Sequence, residues 1–325
     1  MNSQSLLDLL IIGSGPAGLS CAIEAQKAGL RYLVVDKGGV AHSIQGFQRD
    51  MFFFSTPELL EIGDVPFVVP TVRPTSLDCV NYYRSVVQHY RLQCRFYEGI
   101  AGLVRENDLF LATTIQGSQI RARCAVIATG YFDTPNPLEV PGETLPHVTH
   151  YYRDPLPYFD REVLIVGGKN SAVEAALDLW RHGARVTVVH RGASLSTGIK
   201  YWILPDFENR VANGSIRLLK ETHVREFLPS ATIVEDARGT SSRLQSDAVF
   251  ILIGYRPDIR FLESAGITID HGTLAPQFDE KTMETNVSGL FMAGGLVGGK
   301  YNNKVFIENG REHGKLIIPA VTGRL

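Results

Sequence analysis

The sequence lacks the features of several protein classes. It has only four cysteines among 325 residues, and no two of them form a C-x-x-C pair. A disulfide scaffold, a zinc knuckle and a C-x-x-C redox centre are therefore not expected. No cluster of His, Asp and Glu has metal-ligand spacing, and no G-x-S-x-G nucleophile elbow is present. We predict no bound metal ion.

The sequence also lacks an excess of charge of either sign and any long apolar run. Its 32 basic and 34 acidic residues give a formal net charge of −2, so neither nucleic acid nor a membrane surface is an expected partner. No apolar run approaches the roughly 18 residues that a membrane helix requires, and the first residues have no basic signal-peptide segment. We expect a soluble cytoplasmic protein, whose 44% hydrophobic content can form a large core.

The most informative feature present is an internal repeat. An apolar run leads into a glycine-rich turn at Gly13, and a second such run and turn occur 154 positions later at Gly167. At the same spacing, Gly29 corresponds to Gly183, where each predicted helix ends. The pattern predicts strands at 9–12, 32–35, 163–166 and 186–189, and helices at 17–28 and 171–182. Two βαβ units imply an α/β protein with two doubly wound, Rossmann-like sheets.

A second repeated segment, later in the chain, gives the predicted domain layout. Residues 125–131 and 249–255 both end in Gly-Tyr, but they are only 124 positions apart. The first copy therefore carries about thirty extra residues, which we place within 38–80. Proline-rich joints follow each Gly-Tyr pair. The predicted layout is a discontinuous first domain at 1–140 and 257–325, and an inserted second domain at 145–255.

The first glycine turn has the complete pattern of a dinucleotide site. Gly13, Gly15 and Gly18 form G-x-G-x-x-G after a strand, which directs backbone N–H groups and a helix N-terminus towards a pyrophosphate. Asp36 follows 21 positions after Gly15, at the end of the second strand. A carboxylate there accepts hydrogen bonds from ribose hydroxyls and repels a 2′-phosphate.

The second turn differs in its charge. At the position equivalent to Asp36 stands His190, followed by Arg191, whose guanidinium favours a nucleotide 2′-phosphate. Ala172 replaces the third glycine and Lys169 the middle one. One chain with both sites suggests FAD in the first domain and NADPH in the second, with hydride transfer from nicotinamide to flavin.

The two predicted sites contain further residues. The basic and aromatic residues that begin at Lys200 either extend the phosphate site or form an exposed loop. A helix at 304–310, capped by Tyr301, Asn302 and Asn303, would stabilise negative charge on a reduced flavin. The predicted FAD site comprises Gly13, Ser14, Gly15, Pro16, Ala17, Gly18, Asp36, Lys37, Ser43, Thr129, Gly130, Gly294, Gly295 and Val305. The predicted NADPH site comprises Gly168, Lys169, Asn170, Ser171, Ala172, His190, Arg191, Lys200 and Gly254.

Several stretches extend this pattern to a known group. The two glycine turns, residues 128–130 and the closing TNVSGLFMAG at 285–294 resemble low-molecular-weight thioredoxin-reductase-type flavoproteins. More narrowly, the chain resembles the YpdA-type bacillithiol-disulfide reductase family at FFSTPELLEIG (53–63), GGKNSA (167–172), HRG (190–192), IKYW (199–202) and FIENGR (306–311). The resemblance implies a homodimeric, FAD-containing, NADPH-consuming reductase, with bacillithiol disulfide as the electron acceptor.

The chain departs from these relatives at three places. Thioredoxin reductases carry a C-x-x-C pair in the NADPH domain, whereas residues 172–253 contain no cysteine, which excludes thioredoxin reduction by that route. They also have an aspartate that holds the ribityl chain where this chain has Gly295. The bacillithiol-disulfide reductases place a cysteine in the first glycine turn, where this chain has Ala17.

The departures leave the electron acceptor open. Cys21 lies one helical turn after Ala17 and is either a thiol relay or a buried packing residue. Without a relay, a rival function is NADPH:ferredoxin or NADPH:flavodoxin reduction, in which the acceptor is a small redox protein. A third hypothesis is a non-enzymatic, NADPH-sensing flavoprotein.

Overall fold

The computed structural model describes residues 6–301 and 304–325. The helix cap predicted at Asn302 and Asn303 lies outside the described residues. The strands are β1 Leu7–Ile12, β2 Tyr32–Val35, β3 Cys94–Arg95, β4 Ile100–Glu106, β5 Leu109–Thr114, β6 Gln119–Ile127, β7 Val148–Thr149, β8 Glu162–Val166, β9 Arg185–Val189, β10 Ile216–Leu219, β11 Thr222–Leu228, β12 Ala231–Asp236, β13 Ser241–Gln245, β14 Ala248–Ile251, β15 Ile269–Asp270, β16 Ala275–Pro276 and β17 Leu290–Met292. The helices are α1 Pro16–Lys27, α2 His42–Gln45, α3 Pro57–Leu60, α4 Ser76–Tyr90, α5 Asn170–Arg181, α6 Leu204–Ala212, α7 Ile259–Ser264, α8 Ile307–Gly310 and α9 His313–Thr322, with 3-10 turns at Leu156–Tyr158 and Gly295–Gly298.

The predicted βαβ repeat is confirmed in both copies. The last four residues of β1 and of β8, 9–12 and 163–166, are consecutive apolar residues that are all buried, as is typical of parallel strands covered on both faces. Helices α1 and α5 end just before Gly29 and Gly183, which have φ of +71° and +85°. Glycine adopts this left-handed conformation without the strain of a Cβ atom, so it ends each helix.

Each copy forms a sheet with the same strand order. In the first sheet, β3-β2-β1-β6 are parallel neighbours, and β17 pairs in parallel with the end of β6. In the second, the parallel order is β10-β9-β8-β14-β7. The predicted Rossmann-like fold class is confirmed, and each copy adds an antiparallel meander: β4-β5-β6 in the first and β11-β12-β13 in the second.

The chain divides into two compact units. Unit 1 comprises Met1–Gln45, Phe52–Thr134 and Tyr255–Leu325, and unit 2 comprises Gly46–Met51 and Pro135–Gly254. The prediction assigned residues 46–51 to the first domain, but they belong to the second unit. The reason is local bonding, since the Arg49 N–H donates to Arg153 O at 3.1 Å and the Gln48 amide donates to Asp178 at 3.0 Å.

The predicted extra segment of the first copy contains α2, α3 and an irregular stretch before α4. Tyrosine hydroxyls of α4 hold this stretch: Tyr82 donates to Val65 O at 2.8 Å, Tyr83 to Leu60 O at 2.9 Å and Tyr90 to Gly63 O at 2.5 Å. The aromatic spacing of α4 therefore fixes a backbone segment that has little regular structure of its own. At the other end of unit 1, the helix predicted at 304–310 is confined to α8, four residues long. Within the described part of the chain, no helix is long and apolar enough to cross a membrane.

Candidate functional site

The three glycines of the first turn have three different surroundings. A Cβ atom built on Gly13 would lie 2.4 Å from Ala128 O, and one built on Gly18 would lie 2.0 Å from Gly13 O, so both positions require glycine for packing. A Cβ on Gly15 would meet nothing within 4 Å, so this glycine faces open space. This is the arrangement in which a ligand can approach the backbone at the N-terminus of α1.

Asp36 lies at the end of β2, as predicted, and holds the turn through hydrogen bonds. Its Oδ2 accepts from the Ser14 backbone N–H at 2.6 Å and from the Ser14 hydroxyl at 2.8 Å, and its Oδ1 accepts from Gly38 N–H at 2.9 Å. The Ser14 N–H is therefore already bonded within the protein. Oδ1 keeps a free acceptor position, because a carboxylate oxygen can accept two hydrogen bonds.

A second group of predicted residues gathers at the carboxyl end of β6 and β17. Glycine at 294 has φ of +83°, and a Cβ there would lie 3.0 Å from the Ala17 Cβ of the first turn. A Cβ on Gly295 would lie 3.4 Å from Val305 O, and one on Gly13 would lie 3.2 Å from Thr129 N. The structure thus brings these predicted residues to the edge of the sheet where the first glycine turn lies.

Two residues at this edge were not predicted. The ring of Tyr131 covers Gly295, and Nδ1 of the buried His313 accepts the Gly294 backbone N–H at 3.1 Å. The sequence could have indicated Tyr131, since both copies of the second repeated segment, 125–131 and 249–255, end in Gly-Tyr. His313 had none, because a single histidine at the start of a C-terminal helix has no recognisable pattern.

Two predicted residues of the first site make no contact with the turn in the structure. Lys37 forms an ion pair with Asp133 at 2.9 Å, and both side chains are largely exposed. Ser43 lies half-buried in the short helix α2. The structure gives neither residue a contact that distinguishes a ligand role from an ordinary surface role, so both stay predictions.

The second glycine turn is packed against His190 at the end of β9. A Cβ on Gly168 would lie 2.2 Å from His190 Nδ1, and His190 Nε2 is 2.9 Å from Ser194 O. A Cβ on Gly167 would lie 2.7 Å from Leu252 O and 2.8 Å from the Ala172 Cβ. His190 therefore positions the loop after β9 beside the turn, which accounts for the absence of a carboxylate at this strand end.

The loop after β9 is attached to the N-terminus of α5. Ser196 N–H donates to Gly168 O at 3.0 Å, the Asn170 amide donates to Gly198 O at 3.0 Å, and Lys200 N–H donates to Asn170 Oδ1 at 2.8 Å. The Lys200 ammonium is buried and pairs with Glu174 at 2.5 Å. Because the Lys200 ammonium is paired with Glu174, its charge is already neutralised within the protein. This argues against the predicted role of Lys200 as a phosphate ligand.

Arg191 differs from Lys200 because it is exposed. Among the residues that the structure describes, no acidic side chain pairs with its guanidinium. Lys169 and Ser171 are also exposed at the start of α5. Gly254, at the end of β14, has φ of +94°, and its carbonyl accepts from Asn136 N–H at 3.0 Å. The second turn thus has an exposed cation beside it, whereas the first has a half-buried anion.

Burial disfavours the thiolate form of all four cysteines. Burial raises the pKa of Cys21 to about 12 and that of Cys94 to about 12, and it also raises the pKa of Cys79 and Cys124. A thiol relay requires a thiolate, so the burial of Cys21 argues against the relay hypothesis and favours core packing. In the described part of the chain, no group of three or more His, Cys, Asp or Glu side chains could hold a metal ion.

The fold and the two glycine turns are typical of a nucleotide-dependent oxidoreductase. The family model for pyridine nucleotide-disulphide oxidoreductases matches residues 10–294, and the chain belongs to this family, whose members use flavin and nicotinamide cofactors. The protein is therefore an enzyme of the oxidoreductase class, and the hypothesis of a non-enzymatic sensor is not retained.

Comparison with individual proteins confirms the narrower resemblance to the YpdA-type group. The chain is 42% identical over 316 residues to bacilliredoxin reductase Bdr of Bacillus subtilis, covering 97% of each protein. It superposes on the bacillithiol disulfide reductase Bdr (YpdA) from Bacillus cereus with a TM-score of 0.95 and 40% identity, over 99% of this chain and 100% of the other. Thioredoxin reductase of Lactococcus lactis shares the fold, with a TM-score of 0.77 and 20% identity over 98% of both chains.

Proposed function

We propose that this protein binds FAD at the first glycine turn and NADPH at the second, and that it uses NADPH to reduce a low-molecular-weight disulfide. By relation to the similar Bdr proteins, the proposed acceptor is bacillithiol disulfide. The reaction consumes one NADPH and one proton for each disulfide bond broken and yields NADP⁺ and two thiols. The observation that carries the proposal is that one chain of this family has two glycine turns with opposite charges nearby. Asp36 follows the strand after the first turn, and Arg191 follows the strand after the second.

The residues of the first turn fit a dinucleotide that has free ribose hydroxyls. Open space in front of Gly15 and the helix N-terminus behind it suit a pyrophosphate. The free acceptor position of Asp36 suits a ribose hydroxyl, and its negative charge repels a 2′-phosphate. These features support FAD, and not a phosphorylated nicotinamide, at this turn.

The residues of the second turn fit NADPH. Arg191 is an exposed guanidinium at the strand end, where the 2′-phosphate of the adenosine ribose would bind. His190 holds the loop that carries Arg191 against Gly168. The main source of selectivity for NADPH over NADH would therefore be Arg191, with His190 as a positioning residue.

The flavin, when bound, supplies the chemistry of accepting a hydride from NADPH and passing two electrons to the acceptor. The protein's own contribution is to bind and orient the two nucleotides. Ala17 replaces the turn cysteine of the resembling reductases, and the described thiols are buried with raised pKa values. We therefore infer that no protein thiol takes part and that the bound flavin would itself supply the electrons to the acceptor.

The same lack of a reactive thiol favours one second candidate function. Electron transfer to a small redox protein such as a ferredoxin or flavodoxin requires only a reduced flavin that the partner can approach. It requires no cysteine in the reductase. This alternative differs from disulfide reduction only in the acceptor.

An acceptor screen tests the proposal. Purified protein reconstituted with FAD is reduced anaerobically with NADPH while the visible flavin band is followed. Bacillithiol disulfide, glutathione disulfide, a ferredoxin and a flavodoxin are then added in turn. Fast flavin reoxidation and multiple turnovers with bacillithiol disulfide are expected. Turnover with the ferredoxin or flavodoxin alone would support the second candidate, and a protein that retains no flavin would contradict both.

A further inference from the structure

Tyr131 lies beside the first glycine turn but has no assigned role. It follows the carboxyl end of β6 by four residues, after Gly130, which has φ of +69°. Strand β17 pairs in parallel with β6, with Met292 opposite Ile127, and leads into Gly294 and Gly295. Because the carboxyl ends of neighbouring parallel strands meet at one edge of the sheet, Tyr131 and this glycine pair lie together where nucleotides bind.

The Tyr131 ring lies against Gly295 so closely that no side chain fits there. A Cβ built on Gly295 would lie 2.5 Å from Cε1 and 3.1 Å from Cδ1 of the ring. A Cβ on the preceding residue, Gly294, would lie 3.0 Å from the Ala17 Cβ. The glycine pair thus packs against both the first glycine turn and the Tyr131 ring.

The Tyr131 hydroxyl has no hydrogen-bond partner among the described residues. The Tyr131 side chain is only half-buried and its hydroxyl is not fully enclosed, so water or a ligand can reach it and accept its hydrogen bond. Burial raises the pKa of Tyr131, so the hydroxyl is protonated near neutral pH and can donate. An unpaired donor beside a nucleotide turn points to a ligand that carries acceptor oxygens.

We propose that the Tyr131 hydroxyl donates a hydrogen bond to an oxygen of the flavin cofactor, in the phosphate and ribityl linker, and that Gly295 is glycine because the Tyr131 ring occupies its side-chain space. Tyr131 is thus a cofactor-affinity residue of the first site. This inference rests on the proposed binding of FAD at that site.

The test measures flavin affinity and the flavin spectrum. Apoproteins of the wild type, Tyr131→Phe and Tyr158→Phe are titrated with FAD and followed by quenching of flavin fluorescence. Tyr158 is a matched control, because it is a half-buried tyrosine of unit 2 whose pKa is also raised by burial. Removal of one hydrogen bond is expected to weaken FAD binding roughly fivefold to tenfold in Tyr131→Phe, with unchanged affinity in Tyr158→Phe.

A second variant tests the steric part. In Gly295→Ala the added methyl group would displace the Tyr131 ring, so weaker FAD binding and an altered visible flavin spectrum are expected in a protein that still folds by circular dichroism. If Tyr131→Phe binds FAD with wild-type affinity and spectrum, the hydrogen bond is disproved while the FAD site stands. If the wild type itself binds no FAD, both the site and this inference are overturned.

Discussion

The backbone N–H of Gly294 donates to Nδ1 of His313 at 3.1 Å, and both residues are buried. This bond ties the turn after β17 to the first residue of α9. Only a neutral imidazole can accept at Nδ1, because both ring nitrogens of a protonated histidine are donors. Burial lowers the pKa of His313, so the ring is neutral and able to accept at neutral pH.

The first prediction is a loss of stability on mild acidification. The folded-state pKa of His313 lies below its ordinary value near 6.5, so the unfolded chain binds the proton at a higher pH than the folded chain does. The stabilisation is complete above that ordinary value and is lost as pH falls through the lowered pKa. Unfolding by urea at pH 7.5, 6.5 and 5.5 measures this slope.

The variant His313→Asn isolates the effect, since its amide oxygen can accept the Gly294 N–H but does not titrate. Its free energy of unfolding is expected to vary less with pH over this range than that of the wild type. An identical slope in both proteins would show that His313 does not cause the loss.

The sequence predicted the backbone of both sites well because each glycine has a local reason. Gly18 is required by its contact with Gly13 within a single βαβ unit, and such contacts recur at fixed spacing, whereas Gly13 also packs against Ala128 after β6. The antiparallel meanders were not predicted, because their half-exposed strands lack the continuous apolar runs of β1 and β8. Helix α8 is shorter than predicted for a similar reason, since residues 304–310 have no apolar periodicity.

The side-chain roles were harder to predict because they depend on contacts between distant segments. The residues that begin at Lys200 are predicted either to extend the phosphate site or to form an exposed loop, but the Lys200 ammonium is buried and pairs with Glu174, 26 residues earlier on α5. Tyr131 and Gly295 are far apart in sequence but pack together in space. A pattern of residue types gives the sign of a charge, but it does not say which opposite charge lies next to it.

The second prediction concerns thiol reagents. Because the four cysteines have raised pKa values, iodoacetamide at neutral pH is expected to leave the NADPH-dependent activity of the wild type unchanged. In Ala17→Cys, a thiol enters the glycine turn at a half-buried position, and alkylation is expected to lower both activity and FAD retention. Mass spectrometry of the alkylated proteins identifies the modified residue. Inactivation of the wild type with a label on Cys21 would restore the relay hypothesis.

The third prediction separates NADPH from NADH. In Arg191→Leu the KM for NADPH is expected to rise by a factor of ten or more, since a charge-assisted bond contributes roughly 1.5–3 kcal/mol, while the KM for NADH stays nearly constant. The control is Arg217→Leu, because Arg217 is an exposed arginine on the neighbouring strand β10. Equal effects on the two nucleotides, or an equal effect of the control variant, would contradict the assignment of the 2′-phosphate to Arg191.

The fourth prediction concerns the buried ion pair between Lys200 and Glu174. Burial raises the pKa of Glu174 even with the ammonium beside it, so removal of the ammonium leaves a carboxylate with little solvation. Lys200→Met is expected to lower the free energy of unfolding by about 3 kcal/mol, the usual cost of an uncompensated buried charge. In the double variant Lys200→Met, Glu174→Leu, most of that stability should return, because no buried charge remains.

The same pair of variants tests whether Lys200 binds phosphate. If its charge serves only Glu174, the double variant keeps the wild-type KM for NADPH once it is folded. If Lys200 also contacts the 2′-phosphate, the KM for NADPH rises in the double variant while that for NADH does not, which would restore the prediction made from the sequence. Urea unfolding and steady-state kinetics on the same preparations separate the two roles, because the first reports the ion pair and the second reports the nucleotide.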